Sequence, residues 1–228
     1  MGKIWLEVKV LEEELKSKDI RYLKVKLTNA VSVVAGQHFE LKIIGSDTSR
    51  KYSMINPGGV VDELEFGVQL KEGGLVSPKL WDLKVGDTLD ISGPLGTSFL
   101  YEQSSDNEDK NIILLGAGSG ITPLLSIYRA AVKENDSASE GKIKFIMSVK
   151  TPEHLFAPEE VRKHIITKFT QTEGRINQEF LENVISGDFP VSNSLCYICG
   201  PDGFIDDMVD YIVNLGISED NIKSERFI

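Results

Sequence analysis

The segment Leu115-Gly116-Ala117-Gly118-Ser119-Gly120-Ile121-Thr122-Pro123 sets three glycines between an apolar run, Ile112–Leu115, and a stretch with helical spacing, Pro123–Lys133. A strand, a glycine loop and a helix in that order make a phosphate cradle. The glycines let backbone approach the pyrophosphate, and the helix N-terminus offers free N–H groups and the positive end of its dipole. Pro123 falls in the first turn, where its missing N–H costs nothing. Gly116, Gly118, Ser119, Gly120, Ile121 and Thr122 are the candidate cradle residues. The spacing is G-x-G-x-G rather than the G-x-G-x-x-G fingerprint, and the next strand ends in Ser148-Val149-Lys150, without an acidic residue. A tight βα turn asks for the same glycines on backbone grounds alone.

Other pieces add cations, rings and hydroxyls. Arg50-Lys51-Tyr52-Ser53-Met54 puts Arg50 and Tyr52 on one face of a strand, with Ser53 available where the strand ends. An arginine grips phosphate oxygens and a tyrosine stacks on a planar ring; the same pair on a strand is commonly solvated surface. Gly73-Gly74-Leu75-Val76-Ser77-Pro78 reads either as a second phosphate turn or as a plain glycine turn with Ser77 as N-cap before Pro78. Cys199-Gly200-Pro201 follows a strand and precedes a helix, at the sheet edge where open α/β folds bind ligands. Cys196 and Cys199 form a C-x-x-C, but Cys-Tyr-Ile-Cys reads as a strand rather than the helix start of a redox pair. Two cysteines and three histidines are a poor zinc donor set and cannot hold a four-thiolate [2Fe–2S] cluster, so no metal is expected. Glu225-Arg226-Phe227-Ile228 closes the chain, where residues ordinarily fray.

The elements that must carry these residues divide in two. Ile4–Leu11, Tyr22–Leu27, His38–Ile44, Val60–Leu70 and Thr88–Ser92 alternate apolar and polar between glycine-rich turns, the pattern of an antiparallel barrel, with one helical turn at Pro78–Trp81. Residues 102–110 hold no apolar side chain and read as a linker. Beyond them, strands at Ile112–Leu115, Lys142–Val149 and Leu195–Cys199 alternate with helical segments at Pro123–Lys133, Pro158–Lys163, Gln178–Ile185 and Gly203–Asn214, which implies a parallel sheet. The expected fold is an N-terminal antiparallel β-barrel over 1–101 followed by an α/β domain over 111–228. At 41% hydrophobic and 26% charged, 228 residues suffice for two cores, and a net charge of −10 disfavours nucleic acid as a partner. The sequence shows neither a bilayer-spanning run nor a signal-like start, and reduced cysteines fit a cytoplasmic setting.

Taken in order, the pieces resemble the ferredoxin–NADP⁺ reductase superfamily, which includes cytochrome b5 reductases, flavodoxin reductases and oxygenase reductase components. Ala35-Gly36-Gln37-His38-Phe39 is similar to its P-G-Q-[FY], with alanine for proline. Arg50-x-Tyr52-Ser53 matches R-x-Y-[ST], Gly74 and Ser77 match G-x-x-S, and Gly93-Pro94-Leu95-Gly96 matches G-P-x-G. Gly116–Pro123, Cys199-Gly200-Pro201 and Glu225-x-Phe227 match the nucleotide loop, C-G-P and E-x-[FYW].

The resemblance implies a barrel that binds FAD. Arg50 would sit on a flavin phosphate, Tyr52 and Met54 along the flavin, Ser53 near its reactive nitrogen, and Gly73, Gly74, Leu75, Val76 and Ser77 around the pyrophosphate. It implies that NADH or NADPH binds at Gly116–Thr122 with Lys150, Cys199, Gly200 and Pro201. Cys199 would lie beside the nicotinamide and Phe227 over the flavin, so that Ser53, Cys199, Glu225 and Phe227 form the catalytic set. Thr170-Gln171-Thr172-Glu173 stands where an NADPH enzyme would carry a Ser-Arg pair, with Arg175 as the nearby arginine, which leans toward NADH. The implied activity passes electrons from the nucleotide through flavin to a separate flavodoxin, ferredoxin or oxygenase component. Docking would use a basic patch, including Lys79 and Lys84. Reduction of free flavin, or service as a flavin-bearing subunit of a larger complex, are the alternatives.

Overall fold

The computed structural model describes residues 3–102, 110–132, 141–185 and 189–227. The first half is an antiparallel sheet of β1 (Leu6–Leu15), β2 (Ile20–Val34), β3 (His38–Lys42), β4 (Arg50–Ser53), β5 (Gly58–Gln69) and β6 (Thr88–Leu95), with α1 (Ser77–Trp81) between the last two. Its strand order is β4-β3-β6-β1-β2-β5. A bridge from Met54 to Phe66 brings the two edges together. Alternation turns Val8, Val10, Leu23, Val25, Leu41, Leu64, Phe66 and Ile91 into one barrel core.

The second half is a parallel sheet of β7 (Asn111–Ala117), β8 (Ile143–Val149), β9 (Ile165–Phe169), β10 (Ser194–Gly200) and β11 (Ile222–Arg226), ordered β11-β10-β7-β8-β9. Helices α2 (Ile121–Ala131), α3 (Glu159–Arg162), α4 (Thr170–Glu173), α5 (Gln178–Ile185) and α6 (Asp202–Asn214) accompany it. The apolar run of β7 is buried on both faces, as a central parallel strand requires. From β7 the chain moves one way to β8, while β10 lies on β7's other side. That switch point opens a crevice at the strands' carboxyl ends, where Gly116 and Cys199 face each other in register.

Several expectations shift. The strands β1 and β2 run further than their alternation suggested, because an irregularity between Val10 and Glu12, and another between Lys26 and Val31, interrupts the period without ending the pairing. Strands β9 and β11 had no signal as strands: β9 is an edge strand of half-buried residues, and β11 is mixed and polar. The tail is no frayed end, since β11 pairs with β10 through Arg226 opposite Gly200. Of the proposed linker, 103–109 lie outside the described residues, as does Lys133 of the proposed helix.

The halves share one core cluster, in which Ile20, Ala35, Ile55, Phe99 and Tyr101 pack with Ile121, Leu124, Leu125, Phe156 and Tyr197. Polar links add direction: Tyr197 Oη and Lys223 Nζ both donate to the Leu100 carbonyl, at 3.1 and 2.7 Å.

Candidate active site at the seam of the two sheets

A cleft of about 770 Å³ opens along this seam. From the barrel it is lined by Arg50, Tyr52, Ser53, Gly74, Leu75, Val76 and Ser77, and from the α/β half by Ser119, Thr122, Glu225, Arg226 and Phe227. Register explains the first group: β4 pairs with β3 so that Ser53 stands opposite His38 and Tyr52 opposite Phe39. Ser53 is buried where β4 ends. Burial pushes the Tyr52 phenol up to about 12, against a lowering pull from Arg50. Arg50 is exposed, and its Nη1 donates to the Ser49 carbonyl at 2.8 Å.

The turn before α1 differs from the capping expectation. Val76, not Ser77, is the N-cap, and the Ser77 hydroxyl accepts the Lys71 N–H at 3.0 Å. The first N–H groups of the helix have no acceptor within it, and Leu75, Val76 and Ser77 at its start line the cleft.

Across the seam, β7 passes through a short 3-10 turn, Gly118–Gly120, into α2. Gly120 is required by contact: a Cβ there would run into the Cys199 carbonyl oxygen. Of the loop, Ser119 and Thr122 line the cleft, and the Thr122 hydroxyl donates to the Ser119 carbonyl at 3.0 Å. Gly116, Gly120 and Ile121 are buried in the packing behind them, and Gly118 is half-buried.

Other expected residues stand apart from the cleft wall. Met54 is fully buried in the barrel core. Cys199 is fully buried in the seam cluster, and its thiol lies well above the usual range through burial and then the nearby Glu225. Cys196 faces the opposite side of β10 in a different core cluster, so the C-x-x-C is not a dithiol pair. Gly73 and Pro201 are exposed, Gly200 is buried, and Lys150 is exposed with its carbonyl accepting the Gln171 N–H at 3.2 Å.

The tail supplies the far wall. Phe227 donates its N–H to the Gly200 carbonyl at 3.0 Å, which sets the ring at the cleft. Arg226 forks to Asp202 at 3.3 Å and Asp206 at 2.7 Å on the first turns of α6. Burial raises the Glu225 carboxyl to about 7, with Lys51 pulling the other way.

Further residues of the cleft wall were given no role from the sequence. His38 and Glu40 line the cleft, Glu40 accepting Lys3 at 2.6 Å and Ser49 at 2.7 Å. Gln69 lines it and donates to Asp19 at 2.7 Å. Gly67 had a readable signal: a glycine inside a strand marks close approach of another group, and here that group is Thr122.

Comparison with known proteins now applies to a site already built. Residues 7–100 match the oxidoreductase FAD-binding domain, and 109–178 match the ferric reductase NAD binding domain. The chain belongs to the ferredoxin reductase-like family. It is 30% identical to a flavohemoprotein of Bacillus subtilis over 98% of its own length and 60% of that protein. It is 27% identical to the ferredoxin–NAD(P)⁺ reductase component of the naphthalene 1,2-dioxygenase system of Pseudomonas putida, over 96% of the chain and 67% of that protein. The chain thus spans about 60–67% of these relatives' length. Its fold superposes on a ferredoxin NADP⁺ reductase from Neisseria gonorrhoeae, solved with FAD and NADP, at a TM-score of 0.79, with 19% identity and 99% of each chain covered.

The residues present fit both cofactors of this family. The cleft joins a guanidinium, a phenol ring, a buried hydroxyl and a helix start on the FAD-binding side to a glycine loop and helix start on the NAD-binding side. Among the described residues, no helix is long and apolar enough to cross a membrane.

Proposed function

We propose that this chain is an NAD(P)H-dependent flavoprotein reductase: residues 1–101 bind FAD, 111–228 bind the nicotinamide nucleotide, and electrons pass to a separate redox protein such as a flavodoxin, a ferredoxin or an oxygenase component. One observation carries the reading: side chains from both halves, Arg50, Tyr52 and Ser53 from one and Ser119, Thr122, Glu225 and Phe227 from the other, line a single cleft.

Bound FAD would supply the chemistry, two-electron exchange with the nucleotide and one-electron exchange with an acceptor. The chain's part is to bind and orient. Arg50 neutralises phosphate charge, and the first turns of α1 and α2 present N–H groups to the two pyrophosphates. Tyr52 would cover ring surface, and the buried Ser53 hydroxyl would be free to hydrogen-bond the ring. Phe227, held at the cleft by its N–H bond to Gly200, would shield the flavin from water. Cys199 shapes the pocket through its carbonyl contact with Gly120 and its buried side chain, next to Glu225.

The C-terminal edge of β9 favours NADH. Glu173 there accepts the Phe169 N–H at 2.7 Å and puts negative charge in the segment where the resemblance would place a phosphate-gripping Ser-Arg pair. For the acceptor, Lys84 is turned toward Glu13 at 3.4 Å, while Lys51 and Lys71 line the cleft and form the better basic rim for an acidic partner.

The test is the visible spectrum of the purified protein before and after anaerobic addition of NADH, then NADPH. Flavin absorption that bleaches with either nucleotide supports the reading, and the faster one sets the preference. A colourless protein that neither takes up FAD nor reduces it overturns the reading.

A further inference from the structure

Helix α2 touches both halves of the cleft along one face. Thr122, Ser126 and Arg129 recur at i, i+4 and i+7, a single helical stripe. Thr122 lines the cleft beside Ser119. Ser126, one turn further and fully buried, donates its hydroxyl to the Asn56 carbonyl at 2.5 Å and accepts the Gly36 N–H at 3.2 Å. Arg129, another turn on, donates to Glu65 at 3.0 Å and Glu160 at 3.1 Å, with the Ile55 carbonyl at 3.5 Å.

The two barrel points held by Ser126 flank the strands that face the cleft: Gly36 precedes β3, and Asn56 follows β4. Neither point is slack. The Asn56 amide donates to the Glu63 carbonyl at 3.0 Å and accepts the Glu65 N–H at 2.9 Å, while Met54 donates its N–H to the Gln37 carbonyl at 3.1 Å. The opposing strand admits the helix through Gly67, where a Cβ would stand 2.6 Å from Thr122 Cγ2 and 3.2 Å from Ile20 Cγ2.

We infer that Ser126 is a positioning residue for electron transfer: its doubly used hydroxyl fixes the separation between the strand ending at Ser53 and the loop that opens α2. This rests on the functional reading above, in which that strand carries the flavin and that loop the nucleotide. Transfer between two held partners is steep in distance, a misplacement of about 1 Å costing on the order of a hundredfold in rate. A buried hydroxyl bonded on both sides suits that task better than the partly exposed Arg129 pairs, since its loss leaves the Asn56 carbonyl and the Gly36 N–H without that partner.

The test compares Ser126→Ala and Gly67→Ala with the parent protein, all loaded with FAD. Ser126→Ala removes the link, whereas Gly67→Ala wedges the helix outward and deletes no polar group, so it carries the test should Ser126→Ala not fold. The readouts are FAD per chain, the Kd for NAD⁺, the long-wavelength charge-transfer absorbance of the reduced protein with NAD⁺, and bleaching at saturating NADH. The expected result is unchanged FAD content, a Kd within about twofold, and a charge-transfer band and saturating rate both lower by about tenfold or more. A band and rate within about twofold of the parent, beside a lowered Tm alone, overturn the inference and make Ser126 a packing residue. A parent that binds FAD and is bleached by neither nucleotide overturns the functional reading itself, and that is seen before any variant is compared.

Discussion

The Glu225 carboxylate stands 3.7 Å from the His38 imidazole, joining the tail strand β11 to barrel strand β3. That separation is beyond a hydrogen bond. Burial raises the carboxyl to about 7, and burial, then Lys51, lowers the imidazole below 6.5 against a raising pull from Glu40. Both groups therefore lean to their neutral forms, and the contact is not an ion pair near neutrality. The Glu225 Oε2 is buried and has no hydrogen-bond partner among the described residues.

A pH dependence follows from that geometry. Glu225 titrates at about 7 in the folded chain and near 4.5 as a free side chain, so between those values the folded state keeps a proton that the unfolded chain has lost. Stability contributed by this group therefore falls as pH rises from 4.5 to about 7, then stays low. His38 acts oppositely, costing stability as pH drops below 6.5. Glu225→Gln should raise the stability of the FAD-free protein at pH 8 by about 1–3 kcal/mol and change it little below pH 5. Melting curves at both pH values decide this; coincident curves at pH 8 sink the assignment.

Arg50 tests the phosphate role apart from folding. It is exposed, and its Nη1 donates to the carbonyl of the preceding residue, Ser49. Arg50→Ala should weaken FAD binding about tenfold to a hundredfold and leave the Tm of the FAD-free protein within about 2 °C. Flavin fluorescence titration measures the first and calorimetry the second. Undiminished FAD affinity would remove Arg50 from the site.

How much of this was legible in the sequence depends on what each residue does. Arg50, Tyr52, Ser53, Gly74, Ser77, Ser119 and Thr122 could be named because local spacing marks a strand face or a glycine turn, and the structure brings them to one cleft. The fold was legible through its periods, two in the barrel and a switch to apolar runs and helices after it. Gln69 and Ser126 were not, since each works through a hydrogen-bond partner distant in sequence, Asp19 and Asn56, and neither was the place of His38, whose neighbour Glu225 comes from the tail strand. Strand β11 escaped notice because it pairs at an edge, where its side chains need no apolar pattern. Met54 shows the converse. It sits beside the flavin motif, yet just past the end of β4 the chain bridges to Phe66 and the side chain packs into the barrel core.

The two thiols should be inert in the folded protein. Both are fully buried, and burial raises each above its ordinary range. A thiol reagent at pH 8 should label neither within minutes and both after denaturation. Rapid labelling of Cys199 in the folded state would mean that the seam opens, and would place its side chain at the cleft surface.

Nucleotide preference should turn on Glu173. Its carboxylate at the end of β9 is exposed and held by the Phe169 N–H. Glu173→Gln keeps an acceptor for that N–H and removes the charge. The ratio of kcat/KM for NADPH over NADH should rise by about threefold to tenfold. An unchanged ratio would locate discrimination elsewhere, with Lys150 and Arg175 next to be varied.

Ser53 separates binding from chemistry. Its hydroxyl is buried at the end of β4, opposite His38 in register, where it can orient a ring without carrying a phosphate. Ser53→Ala should therefore lower the rate of flavin bleaching at saturating NADH by about tenfold to a hundredfold while FAD content changes less than about twofold. Cys199→Ala should act in the same direction, through the loss of buried volume beside Gly120. Stopped-flow absorbance gives the rates, and the protein-bound flavin absorbance before mixing gives the content. Equal rates in wild type and both variants would leave Ser53 and Cys199 as packing residues and shift the catalytic assignment to Glu225 and Phe227.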